Sequence, residues 1–131
     1  IGKFLRAYSS PNDVLAAIDI GAMAYFSGLR TIDYFGLTDK HIARLTPQTY
    51  TFEPGFWGHR TFILKADTEY ILSQNPTFIE LNTANFPEKT EQTIPVDPYS
   101  DLMFRNPKFK AAYIPFYHVS GTTIFVRKGK P

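Results

Sequence analysis

The run from Asp19 to Asp39 constrains this chain more than any other stretch. Three aspartates (Asp19, Asp33, Asp39) and three glycines (Gly21, Gly28, Gly36) interrupt apolar stretches only a few residues long. Neither a long helix nor a long strand fits between such breaks. Short apolar runs ending in Asp or Gly suit joints where a strand stops at a polar turn and a helix begins at a capping side chain. Residues 14–18 read as a buried strand ending at Asp19 and Gly21. Residues 22–26 read as a short helix closed by Ser27 and Gly28, glycine past the last turn being a helix stop. Residues 31–33 read as a second strand, and residues 36–39 as a turn in which Thr38 or Asp39 caps a helix to about residue 45.

Strand, helix, strand and helix in close succession predict an α/β fold: a single small layered domain with a mixed, mostly parallel sheet flanked by short helices. Upstream, Phe4, Leu5 and Tyr8 have helical spacing over residues 2–8, and residues 9–13 form a turn by composition. Downstream, residues 46–59 are rich in Pro, Gly and aromatic side chains and read as an ordered loop. A helix is predicted over residues 67–73, with Asp67, Thr68 and Glu69 at its positive end, Asn75-Pro76 stopping it and a third strand over residues 77–81. Residues 82–99, with Pro87, Pro95 and Pro98, read as an exposed loop, and residues 100–104 as a short helix with Asp101 near its start. Residues 113–119 and 122–128 around Ser120-Gly121 predict a C-terminal β-hairpin.

A length of 131 residues suits one domain spanning 1–131. Net charge is only +2, with basic residues scattered in small groups such as Lys3 with Arg6 and Arg127 with Lys128 and Lys130. This argues against a nucleic-acid face. The absence of cysteine removes disulfides and thiolate chemistry. No run approaches the ~18 apolar residues of a spanning helix. The chain begins at Ile1 in what reads as mid-protein sequence, so it is expected to be a soluble domain excised from a longer protein. Gly21 and Gly28 fit neither a phosphate loop nor a dinucleotide fingerprint, Ser27 lacks the glycine of a nucleophile elbow, and no cofactor is implied. His41, His59 and His118 lie too far apart in sequence to suggest a zinc site.

The candidate chemistry is acidic and aromatic. Asp19, Asp33 and Asp39 would converge if their strands are neighbours, because parallel strands open on one edge. Carboxylates so placed can hold sugar hydroxyls or do acid–base work. Taken singly, Asp19 and Asp39 fit helix caps and Asp33 fits an ordered turn. His59 follows Gly58 in an aromatic loop with Trp57 and suits either a ligand contact or packing. The 12 Phe and 8 Tyr first of all fill a core, while Tyr25 and Trp57 are the rings most suited to stack on a sugar.

Residues 1–81 resemble the C-terminal extracytoplasmic domain of bacterial membrane glycosyltransferases of the GT-C type. The matching residues are Asp19, Gly21-Ala22, Tyr25-Phe26-Ser27-Gly28, Ile32-Asp33, Gly36-Leu37-Thr38-Asp39 and Ile42-Ala43-Arg44. Gly58-His59, Asp67, Tyr70, Leu72, Asn75-Pro76, Phe78-Ile79 and the closing Ile124 to Arg127 continue the match. Phe56-Trp57 stands where a proline commonly precedes Gly-His, and residues 82–112 have no counterpart. The resemblance implies an accessory domain on the periplasmic or extracellular face of the bacterial inner membrane. Its partners would be the upstream transmembrane region of the same chain and a glycan or polyprenyl-phosphate sugar. The catalytic carboxylate would then lie in the membrane part, leaving this fragment inactive alone. Asp19, Tyr25, Asp33, Asp39, Trp57 and His59 are the candidate ligand contacts, with no catalytic or metal residue among them. Two other readings stand beside it: a free-standing hydrolase or transferase using Asp19, Asp33 and His59, and a structural protein-interaction module.

Overall fold

A computed structural model describes residues 1–52, 60–84 and 89–130. The order of elements is α1 (Gly2–Tyr8), β1 (Val14–Ala17), α2 (Ile20–Ser27), β2 (Arg30–Asp33), α3 (Lys40–Ala43), β3 (Gln48–Phe52) and β4 (Arg60–Leu64). There follow α4 (Thr68–Ser73), β5 (Phe78–Asn82), a 3₁₀ turn (Thr90–Gln92), α5 (Pro98–Arg105), α6 (Pro107–Ala112), β6 (Tyr113–Val119) and β7 (Thr122–Arg127).

Five strands form one mixed sheet in the order β2-β1-β5-β7-β6. β1 runs parallel to both β2 and β5, while β7 is antiparallel to β5 and to β6. The β6–β7 hairpin turns at Ser120 and Gly121, both with positive φ (49° and 80°), as a two-residue hairpin loop requires. β6 is an outer strand, and its register shifts between Pro115 and Tyr117. Tyr8, Ile114 and Phe116 are exposed, with the Tyr8 and Phe116 rings edge-to-face at 5.9 Å.

Each face of the sheet buries its own apolar cluster. On one, Ala16, Ile32, Ile79, Leu81 and Phe125 pack with Ile42, Ile71, Met103 and Phe109 from α3, α4, α5 and α6. On the other, Leu15, Ala17, Phe78 and Ile124 pack with Leu5 of α1 and Met23 of α2. Helices on both faces make the three layers expected when parallel strands must be covered on two sides. α1 and α2 approach closely at Gly2, where a Cβ would stand 2.8 Å from Phe26 Cβ and 3.0 Å from the Met23 carbonyl oxygen.

Three expectations are corrected. The sheet is mixed as expected but not mostly parallel: β5–β7 and β7–β6, two of its four strand pairs, are antiparallel because the chain ends in a hairpin added to β5. Residues 46–59 do not form a loop throughout: β3 pairs antiparallel with β4 from Gln48–Leu64 to Phe52–Arg60. Alternating Thr49, Tyr50, Thr51 and Phe52 give this segment strand character that the neighbouring prolines and glycine mask. The hairpin is tied to α5 by a Tyr50 hydroxyl that donates to Asp101. Residues 82–99 are not simply an exposed loop, because Thr83, Thr90 and Thr93 are buried. The Thr83 and Thr123 hydroxyls lie 2.7 Å apart, and the Thr90 hydroxyl donates to the Tyr113 carbonyl at 2.7 Å.

Candidate functional site

β1 has parallel neighbours on both sides, with its crossover through α2 leading to β2 and β5 lying opposite. In open α/β sheets, ligands settle outside the carboxyl ends of strands at such a reversal of order. A groove of about 750 Å³ lies there, walled by Ile18 and Asp19 after β1, the first turn of α2, the start of α1, and Phe35 and Leu37 after β2. Its lining is mainly apolar, with Asp19 and Lys3 as the residues in it that carry charged side chains.

Asp33 builds one wall. Its carboxylate is fully buried, accepting from Phe35 N at 2.8 Å, Thr38 N at 2.7 Å and the Thr38 hydroxyl at 3.2 Å. These bonds fold the segment after β2 into a tight turn that presents Phe35 and Leu37, 45% and 80% exposed, to the groove. Asp39 is likewise structural. It caps α3 by accepting from His41 N at 2.9 Å and Ile42 N at 3.1 Å, and receives the Tyr70 hydroxyl at 3.0 Å. His41 stacks on Tyr70 and pairs with Asp67 at 2.8 Å, joining α3 to α4.

Asp19 behaves differently. It occupies the N-cap position of α2 but makes no side-chain cap bond, whereas Asp39, Asp67, Asp97 and Asn106 all accept amide protons at the starts of their helices. The α2 joint is held from beneath instead. Glu80, on β5, accepts from Ile18 N at 2.7 Å and lies 3.5 Å from Asp19 N, while Asp19 itself lines the groove. Glu80 is 1% exposed, and burial, reinforced by the nearby Asp19 and Asp97 charges, pushes its carboxyl up to about 7 against the pull of the two amides.

The candidate residues therefore separate. Asp19 lies in the groove; Tyr25 is 80% exposed on α2 with its ring edge-to-face to Phe26 of the groove wall, centroids 5.2 Å apart. Asp33 and Asp39 are held by their own turns and do not join Asp19 in one cluster. Trp57 and His59 lie outside the described residues. Sequence reasoning missed Glu80, although a charged side chain between Ile79 and Leu81 in an apolar strand is a readable signal. It also gave Phe35 no role beyond a core candidate and singled out neither Leu37 nor Lys3 as a ligand contact.

Among the described residues, no group of three or more His, Asp or Glu side chains is placed to hold a metal ion. Among them, too, no helix is long and apolar enough to cross a membrane. No curated protein and no solved structure matches the chain. Residues 1–125 match the family described as domain of unknown function DUF8728, a span that covers every element of the sheet but the end of β7, and the chain belongs to that family.

Proposed function

We propose that this is the extracytoplasmic accessory domain of a membrane glycosyltransferase, whose groove receives a lipid-linked sugar or acceptor glycan while catalysis takes place in the membrane part. The observation that carries the reading is the uncommitted Asp19 carboxylate in an aromatic-walled groove at the carboxyl ends of parallel strands. A sugar offers hydroxyls to a carboxylate and an apolar ring face to aromatic side chains, and Asp19 with Phe26, Phe35 and Tyr25 supplies both. Leu37, exposed on the groove wall, and the half-buried Ile20 give a surface for the first isoprene units, and Lys3 a cation for the phosphate. The ordered resemblance over residues 1–81 supports the same reading and supplies the membrane context. The hydrolase or transferase alternative needs Asp19, Asp33 and His59 in one cleft. Commitment of the Asp33 carboxylate to its own turn favours a binding module instead.

The test is an amide-resolved NMR titration of the 131-residue chain with a C10 polyprenyl-phosphate hexose and, separately, with the free hexose. Shifts are expected at Lys3, at residues 18–26 and at residues 35–37, with Asp19→Ala and Tyr25→Ala each weakening binding about tenfold, one hydrogen-bonded or stacked contact being worth roughly 1.4 kcal/mol. Response to the lipid-linked probe alone would assign the groove to the donor; response to both would assign it to the sugar. No response to either, or shifts on another face, would overturn the reading, as would a full gene product without transmembrane helices before Ile1.

A further inference from the structure

Glu80 is a buried acid that the groove does not expose, on a strand that otherwise contributes apolar side chains to the core. The sheet register explains its reach. Ala17 pairs with Asp33 on β2, while Leu15 and Ala16 pair with Phe78 and Ile79 on β5, so Glu80 comes next in line beside Ala17. Ala17 is the small residue between two buried acids, and it leaves room for the longer one to reach the end of β1. There Glu80 Oε2 meets Ile18 N and Asp19 N, the first amides of the joint leading into α2. Glu80 Oε1 is buried with no hydrogen-bond partner. One oxygen thus holds the groove wall while the other pays a desolvation cost without compensation.

We propose that Glu80 is the positioning residue of the groove: its carboxylate fixes the β1–α2 joint through the Ile18 and Asp19 amides, and protonation loosens that hold and the aim of Asp19. Charge-assisted bonds to a carboxylate are roughly twice as strong as those to a neutral acid. The charges acting on Glu80 are Asp19, on the joint, and Asp97, ahead of α5, and both favour the protonated form. Tyr34, after β2, is a further titratable neighbour. In the same row β2 presents Asp33, β7 presents Ile124 and β6 presents Tyr117. From the covering layer, Leu5 of α1 and Met23 of α2 pack on this face. No cation is among the groups acting on it. The release therefore falls in the neutral range, about 7 against 4.5 for an ordinary glutamate. The groove becomes a pH-responsive site whatever it binds.

The experiment follows the ligand-free 131-residue chain by NMR from pH 5 to 8.5, so its failure and failure of the glycosyltransferase reading are separate outcomes. The Ile18 amide proton should move downfield as pH rises, with a midpoint near 7. The Asp19 amide should follow with smaller amplitude, its contact being 3.5 Å rather than 2.7 Å. In Glu80→Gln both profiles should become flat. A ¹³C-carboxyl titration of Glu80 in the unmodified chain should give the same midpoint and needs no variant to fold. A Glu80 carboxyl that titrates near 4.5, or Ile18 and Asp19 profiles unchanged in Glu80→Gln, would overturn the proposal.

Discussion

Glu80 makes the fold itself sensitive to pH, in a direction opposite to that of most carboxylates. Its ordinary value is 4.5 and its value in the folded chain is about 7. Between those limits the folded state holds a proton that the unfolded chain has released, so stability falls as pH rises. The full contribution is present below 4.5 and is lost as pH climbs through 7. From 4.5 to about 7, at about 1.4 kcal/mol per pH unit, the full loss is roughly 3–4 kcal/mol. Side-chain exposure of 1% leaves little solvent to screen this term. Urea unfolding of the native chain and Glu80→Gln at intervals from pH 5 to 8.5 measures it. The native midpoint should fall by on the order of 1–2 M relative to the variant, with an m-value of 1–3 kcal/mol per molar. A constant offset between the two is expected, since the buried glutamine amide lacks partners, and it cancels from the slope. Asp13, Asp67 and Glu69 have lowered values, so their stabilisation is lost only as pH falls through the acid range, below this window. Parallel curves for the two proteins across the window would refute the reasoning.

Two further predictions concern the turns around the groove. Gly36→Ala should cost about 2–4 kcal/mol in urea unfolding, because φ is +73° and a Cβ would stand 2.7 Å from Ala43 N and 2.9 Å from Ile42 Cγ2. Gly21→Ala, in α2 with nothing within 4 Å of the added Cβ, should instead gain about 0.5–1 kcal/mol, and equal effects would refute the distinction. Asp33→Ala should cost about 2–3 kcal/mol by orphaning the Phe35 and Thr38 amides, whereas Asp19→Ala should stay within about 0.5 kcal/mol of native. Thermal or urea denaturation of the pair separates scaffold from site, and a comparable loss in both would assign Asp19 to the scaffold.

Much of this fold is legible in short-range chemistry. Apolar residues 14–18 flanked by turn formers, Asp67 ahead of α4 and Ser120-Gly121 in the last hairpin are local signals, and each resolves as read. What escapes depends on distant partners. β3 and β4 stabilise each other across a Pro- and Gly-containing stretch, so neither is evident from composition alone. α6 begins where α5 ends, with Asn106 closing one helix and capping the other ahead of Pro107, a compact device inside a stretch with no clear periodicity. The site divides in the same way. Asp33 and Asp39 announce turns and caps, and form them. The backbone on which Asp19 sits is held by Glu80, which lies 61 positions further along the chain.

The outer strand β6 has a consequence for how the domain tolerates neighbours. An outer strand presents along its edge a row of amide donors on which another chain can build, and exposed aromatic rings beside it strengthen the invitation. Here Pro115 has no amide hydrogen, and the register shift beside it breaks the spacing of the row. The opposite edge, β2, is only four residues long and opens with the exposed Arg30. Tyr8, Ile114 and Phe116 can therefore remain at the surface without β6 offering a continuous template for a sixth strand. Association through those rings would therefore be side chain against side chain rather than by adding a sixth strand to β6.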